Sequence, residues 1–272
     1  MTITLRCVAA SDTGLMRSDN QDSGYAGPRL AAVADGVSGN VHGEVASAVT
    51  IDALARLDHV VPDAEAPDAL RSAISAADHR LQEMADANPA LQGMSTTLTA
   101  LLCGDAALYL AQVGDSRAYL LRDDSLRQVS KDHSLVQALV DNGQLTPAEA
   151  AVHPQRSVIL RAINGRGDVE ADVTAHEVRP GDRWLLCSDG LSDYVAGALI
   201  EQTISGAAPA EQLVNRLIEL ANEAGGPDNI TCVIADVEEA ASPGEPMLVG
   251  AAAEDVSGAD PDDEPTARLR RV

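Results

Sequence analysis

Apolar residues recur at helical spacing in two stretches of the chain. Gly43 to Asp58 carries Val45, Val49, Leu54 and Leu57, and Pro67 to Asp86 carries Leu70, Ile74, Ala77, Leu81 and Met84, so each predicts an amphipathic helix. Between Thr96 and Val129 the period changes. The short apolar runs TTLTALLCG, ALYLAQVGD, SRAYLLRDD and SLRQVS are separated by turn residues, which predicts an antiparallel meander reversing at Gly-Asp and Asp-Asp. A short helix over His133 to Asp141 and another capped by Thr146-Pro147 follow. EADVTAHEV and DRWLLCSD read as strands, Pro209 to Ala224 as a helix, and NITCVIADV as a last strand. Strands and helices are segregated rather than strictly alternating, and no internal repeat is visible. That favours an α+β fold over a doubly wound parallel sheet.

From Glu238 to Val272 the pattern stops. This segment is rich in Glu, Asp, Pro, Gly and Ala, its one apolar cluster is Met247 to Val249, and it reads as an acidic, unstructured tail at 239–272 behind a folded unit at 1–238. The whole chain of 272 residues has 19 Lys and Arg against 42 Asp and Glu, a formal charge of −23. Such a surface repels phosphate backbones and anionic leaflets, and one Trp, four Tyr and no Phe provide no stacking platform for bases. Nucleic-acid and membrane binding are therefore not expected. A 45% hydrophobic content supports a core built from aliphatic residues. Cys7, Cys103, Cys187 and Cys232 stand far apart, without zinc spacing, and read as free thiols of a cytoplasmic protein.

Four aspartates share a local grammar. Asp35 (LAAVADG), Asp115 (LAQVGDS), Asp189 (RWLLCSDG) and Asp228 (GGPDNITCVIADV) each lie in or beside a glycine-containing turn that adjoins a strand-like run. One Asp-Gly alone is a turn dipeptide. Four carboxylates converging would repel one another severely without a cation between them, and hard oxygen ligands select Mg²⁺ or Mn²⁺.

The ordered set RSDNQD (Arg17 to Asp22), LAAVADGVSGNVHGEVAS (Leu30 to Ser47), GMSTTLTALL (Gly93 to Leu102), VGDSRAYLLRDD (Val113 to Asp124), HPQRSVILRAI (His153 to Ile163), GDRWLLCSDGLSD (Gly181 to Asp193) and GGPDNITCVIADV (Gly225 to Val237) resembles the metal-dependent protein phosphatases, the PPM or type 2C family, in the bacterial serine/threonine form. The resemblance implies a four-layer α-β-β-α sandwich with two antiparallel sheets inside. It implies that Asp35 bridges two metal ions, that Gly36 offers one of them its carbonyl, and that Asp189 and Asp228 complete the protein ligands. Asp115 matches a position that helps hold a third ion, Arg17 matches the arginine that grips the substrate phosphate, and Asp22 and Asn229 match supporting positions. The implied reaction is hydrolysis of phosphoserine or phosphothreonine in proteins by a metal-bridging hydroxide, with Mn²⁺ or Mg²⁺ as cofactor. The implied partners are phosphorylated proteins and a serine/threonine kinase, and the implied state is a monomer.

Other mechanisms fail on spacing. A cysteine phosphatase needs Arg six positions after the nucleophile, where this chain has Thr13, Tyr109, Asp193 and Glu238. GVSG lacks the last Gly of a serine-hydrolase elbow, and GRGDVE fails the dinucleotide pattern. Two departures from the family stand out: Gln21 occupies a position commonly acidic, and VSGN follows Asp35-Gly36 where a Gly-Gly-His type run is usual. They motivate an alternative reading, a phosphatase-like regulatory or binding module with low turnover. No general acid is assigned. His42 and His133 lie beside motifs but read as surface or structural histidines; the resemblance makes the stretch from about Leu145 to Asn164 a variable flap beside the site, whose Arg156 and Arg161 read as partners of the protein's own acids.

Overall fold

The computed structural model describes residues 3–37, 42–167, 169–239 and 244–254. Eleven strands among these residues form two antiparallel sheets. The first sheet contains β1 (Ile3–Asp12), β6 (Arg117–Arg122), β7 (Ser125–Gln128), β9 (Arg183–Cys187) and β10 (Ile230–Glu239) in the order β1-β10-β9-β6-β7. The second contains β2 (Asp22–Ala26), β3 (Leu30–Asp35), β4 (Leu98–Cys103), β5 (Ala107–Val113), β8 (Asp172–Glu177) and β11 (Met247–Gly250) in the order β11-β2-β3-β4-β5-β8.

Strand periodicity decides what fills each layer. In β3, Ala31 and Val33 face the other sheet and join Leu101, Leu120, Leu186, Val233 and the fully buried Trp184, while Leu30, Ala32 and Ala34 face helices. Those helices are α1 (Gly43–Ala55) and α2 (Ala66–Ala87), which bury Ile51, Leu54, Leu70, Ile74 and Leu81 on the outer face of the second sheet. On the far side α6 (Gly197–Ile204) and α7 (Ala210–Glu223) lay Ile200, Leu213, Leu217 and Ala221 on the first sheet, against Leu185, Cys187, Cys232 and Ile234. Each such leucine, fully buried, contributes about 1.5–3 kcal/mol. The expected four-layer sandwich is therefore the observed architecture, with its core in three apolar sheets of contact.

The remaining helices are short: α3 (Leu135–Asp141), capped by Ser134, α4 (Pro147–Ala151), and α5 (Asp189–Ser192). The Thr146-Pro147 signal is realised as a capping box in which Thr146 and Glu149 satisfy each other's backbone N–H. All four cysteines are free, three of them buried. No helix among the described residues is long and apolar enough to cross a membrane.

Two expectations need correction. The meander is not one sheet: β4 pairs with β5 in the second sheet, and β6 with β7 in the first, so the chain changes sheets at Gly114 to Ser116. Gly114 takes φ +95° there, with its Cα packed on Thr97. The acidic tail is also not wholly unstructured. Met247 to Gly250 pairs in register with Ala26 to Ser23, and Ala252 donates its N–H to Ser23 Oγ at 3.1 Å. The apolar cluster inside the acidic segment is what covers the β2 edge. Residues 255–272 of the tail lie outside the described residues, as do Ser38, Gly39 and Asn40 of the VSGN segment.

Candidate active site

The fold brings the carboxylates to one end of the two sheets. Asp22 opens β2 and Asp35 closes β3, directly opposite each other in the ladder. Asp189 begins α5 one residue after Ser188, which leaves β9, while Asp228 precedes β10 and Asp115 occupies the turn where the chain changes sheets. One hydrogen bond ties the sheets together here. Ser188 Oγ donates to Asp22 Oδ2 at 2.7 Å and accepts the Thr231 N–H at 2.9 Å.

The charges are crowded and poorly compensated. Burial pushes Asp22 up to about 6, opposed by hydrogen bonds from Ser188 and Thr231 and reinforced by Asp228. Burial likewise raises Asp35 well above the usual carboxylate range, with Asp22, Asp189, Asp115 and Asp228 adding repulsion. Asp189 is raised for the same reasons, burial first and then Asp115, Asp193 and Asp228. Asp115 rises to about 7 through burial and the nearby Asp132 and Asp193, and its buried Oδ1 has no hydrogen-bond partner. A buried carboxylate oxygen left bare in this way is costly unless it keeps its proton or a cation meets it.

Backbone chemistry shapes the same corner. A Cβ on Gly36 would stand 2.6 Å from the Gln21 carbonyl oxygen and from Gly43, so only glycine lets the strand end and the start of α1 approach this closely. Asp35 is locked by its own peptide: its N–H donates to Thr97 Oγ1 at 3.1 Å, and its carbonyl accepts from the Thr97 N–H and from Thr96 Oγ1.

Arg17 lies on a loop that Asn229 fastens. Asn229 Nδ2 donates to the carbonyls of Thr13 and Asp19, both at 2.9 Å, and its Oδ1 accepts the Gln21 N–H at 2.9 Å. Gly14, at φ +77°, is packed on the Asp228 carbonyl. The result is a short ion pair, Arg17 Nη2 to Asp228 Oδ2 at 2.9 Å, in which the guanidinium remains partly open to solvent.

Asp22, Asp35, Gly36, Asp115, Asp189, Asp228, Asn229 and Arg17 thus fall at this end of the sandwich. Sequence reasoning missed Asp193, which lies near Asp115 and Asp189, forms an ion pair with Arg156 Nε at 3.4 Å and is raised chiefly by burial. It also missed Ser188 and the bidentate Arg117–Asp132 pair behind Asp115. The second Asp of SDGLSD was the available signal for Asp193. His133 is structural as read: Gly114 donates its N–H to His133 Nδ1 at 3.3 Å, so the ring presents Nε2–H to Asp172 at 3.1 Å. Arg161 completes that group by bonding Asp172 at 2.9 Å.

A family model described as protein phosphatase 2C matches residues 9–234. The chain belongs to the protein phosphatase 2C family. Within that family it is 48% identical over 256 residues to the serine/threonine protein phosphatase PstP of Mycobacterium tuberculosis, covering 94% of this chain and 49% of that protein. The chain therefore spans about half the length of this relative. It is 33% identical to the serine/threonine phosphatase stp of Listeria innocua over 83% of this chain and 93% of that protein. The crystal structure of M. tuberculosis PstP/Ppp superposes with a TM-score of 0.83 at 49% identity, covering 87% of this chain and all of that one. A second structure, the PstP catalytic domain in complex with two manganese ions, gives a TM-score of 0.81 at 47% identity over 88% and 100% of the two chains. The two-sheet sandwich is the fold of this phosphatase 2C family.

Proposed function

We propose that this chain is a metal-dependent serine/threonine protein phosphatase. The observation that carries the reading is the set of mutually repelling, buried aspartates with the bare Asp115 Oδ1 beside them, in a chain whose relatives are serine/threonine phosphatases. The donor set is all oxygen, which suits Mn²⁺ or Mg²⁺. Among the described residues no three acidic, His or Cys side chains gather tightly enough to enclose an ion alone, so the Gly36 carbonyl and water belong to the shell in this reading. Asp35, Gly36, Asp189 and Asp228 would hold two ions, as two manganese ions are held in the PstP catalytic domain, and Asp115 would hold a third. Such ions, when bound, supply Lewis-acid charge and a water acidic enough to attack phosphorus near neutral pH.

The side chains of this chain do the rest. Arg17 presents Nη groups at the mouth of the cluster and takes two phosphoryl oxygens by its planar fork, exchanging its bond to Asp228 for the substrate. Asn229 holds the loop that aims it. Asp22, fixed by Ser188, keeps β2 and β9 in place behind the ligands. The substrates are phosphoserine and phosphothreonine side chains of proteins, set by a serine/threonine kinase, in the cytoplasm, where the buried thiols stay reduced.

The low-turnover alternative is not favoured: Gln21 departs from the family, but the aspartates and Arg17 occupy one corner with the geometry above. The test is hydrolysis of a phosphothreonine peptide during Mn²⁺ titration. Turnover that rises with metal and stops with chelator is expected. Full activity in excess chelator, or none at any Mn²⁺ or Mg²⁺ concentration, overturns the reading.

A further inference from the structure

Eight large apolar side chains are exposed among the described residues, and they are not scattered. Five of them, Leu15, Met16, Val152, Val158 and Leu160, belong to the two segments that carry Arg17 and Arg156. Single exposed apolar residues are ordinary, but here they gather on the two segments whose arginines reach the aspartate cluster. Leu15 and Met16 are exposed to 68% and 74%, and Val152 to 80%.

Neither rim is a loose end. The Leu15 and Met16 N–H groups both donate to the Gly226 carbonyl, at 2.7 and 3.1 Å, and Leu15 Cγ is seated on Gly226, two residues from Asp228. The flap is fastened as firmly. Leu135 N–H bonds the Val158 carbonyl, Leu160 N–H bonds the His133 carbonyl, and Ile163 pairs with Thr96, which pairs in turn with Gly36. Arg17 reaches Asp228 from one rim, Arg156 reaches Asp193 from the other, and Tyr194 lies within the influence of Asp189, Arg156 and Asp228. Both apolar segments thus stand beside the aspartate cluster on hydrogen-bonded backbone, which lowers the ordering cost of binding to that of the side chains.

We infer that Leu15 and Met16, with Val158 and Leu160 of the flap, select phosphorylated segments whose phosphoserine or phosphothreonine is flanked by apolar residues. The occupant is the substrate's own flanking side chains, because these rims continue directly from the phosphate-gripping loop. The charge points the same way: a chain at −23 repels acidic flanks, Arg17 is taken by the phosphate itself, and Arg156 is paired with Asp193. Met16 suits a surface that accepts varied aliphatic partners.

This inference rests on the phosphatase reading, and the experiment separates the two. Three phosphothreonine peptides of equal length are compared with Mn²⁺ present, flanked on both sides by Leu and Val, by Ser and Gly, or by Asp and Glu. Expected kcat/KM is highest for the first, about tenfold above the second, and lowest for the third. In the double variant Leu15→Ser, Met16→Ser the ratio of the first to the second falls to about twofold, chiefly through KM. Val60→Ser, an exposed apolar residue far along the chain from both rims, leaves that ratio as it was. Because the substituted side chains are solvent-exposed, a thermal melt should report an intact fold, and Met16→Ser alone repeats the test if it does not. An unchanged ratio in the variants, or no preference in the parent, overturns the inference while leaving the phosphatase reading standing. A shift of a concentration-dependent dimer to monomer with an unchanged ratio also overturns it. No turnover of any peptide would overturn the phosphatase reading instead.

Discussion

Two regions of this molecule bury carboxylates in opposite ways. On and beside the first sheet, Asp236 receives Arg183 Nε and Nη2 at 2.6 and 2.9 Å, Asp182 receives Arg122 Nε at 2.7 Å, and Asp132 accepts three hydrogen bonds from Arg117. On α2, Asp78 accepts three backbone N–H groups from Asn164, Gly165 and Gly167. Each of these acids has its compensation built into the chain. At the cleft Asp22, Asp35, Asp115 and Asp189 are all raised by burial first; their neighbours then add repulsion, Asp22 and Asp189 on Asp35, Asp115 and Asp193 on Asp189, Asp132 and Asp193 on Asp115, and Asp228 on Asp22. Arginines bond Asp132, Asp182 and Asp236 directly, whereas these four stay raised, and buried acids in that state cluster at functional sites.

The sharpest way to break the comparison is to remove one acid from each region. Asp35→Asn should lower kcat/KM on a phosphothreonine peptide by on the order of 10³-fold or more. It should leave the metal-free melting temperature unchanged or raised, because a repelling charge has gone. Asp236→Ala should do the reverse, costing about 2–3 kcal/mol of stability by stranding Arg183, with activity per folded molecule kept. Paired urea melts and steady-state assays read both. If Asp35→Asn retains activity within tenfold, or destabilises the metal-free protein as much as Asp236→Ala does, the two regions do not differ as described.

The pH dependence of the metal-free protein is the next effect in size. Asp22 at about 6 and Asp115 at about 7 both lie above the ordinary 3.8, so the folded state holds these protons more tightly than the unfolded chain. Their contribution to stability is complete below about pH 4 and is lost as pH rises through 6 and 7. The melting temperature in chelator should therefore fall between pH 5 and pH 8, by on the order of 5 °C. Saturating Mn²⁺ should remove most of that slope by binding the folded, ionised cluster. A melting temperature that rises with pH in chelator would contradict the crowding.

Much of this was legible in the chain because the physics is local. The spacing of Leu70, Ile74, Ala77 and Leu81 defines a helix face whatever it packs on, and the strand-turn aspartates announce themselves by their glycines. What escaped was non-local. SRAYLL and ALYLAQV have the same pattern whether they share a sheet or not, and only packing reveals that the chain changes layers at Asp115. Met247 to Val249 is too short to predict a strand inside an acidic segment, and it gains its role from the open edge of β2. Asp193 looks like any polar residue after a helical turn until the fold sets it against Asp115 and Asp189.

The smallest expected effect concerns Gln21, which sits between the two regions in kind. Its backbone is locked: the carbonyl accepts from the Gly36 N–H at 3.2 Å and from Ser47 Oγ at 2.6 Å, and its N–H bonds Asn229. Only the side chain is free to differ from the family, and its Nε2 donates to Glu44 Oε2 at 3.4 Å, while Glu44 Oε1 meets His42 Nδ1 at 2.9 Å. Gln21→Glu converts that donor into a second carboxylate beside Glu44. Without metal this should cost up to about 1 kcal/mol, the size of one like-charge contact at a partly exposed site. With metal the added charge should lower the Mn²⁺ concentration needed for half-maximal rate, while the rate at saturating Mn²⁺ changes by less than about threefold. A metal titration of the two proteins on one phosphopeptide measures both terms. A rise above tenfold at saturation would make the amide a device that restrains turnover and would return the low-turnover module to contention.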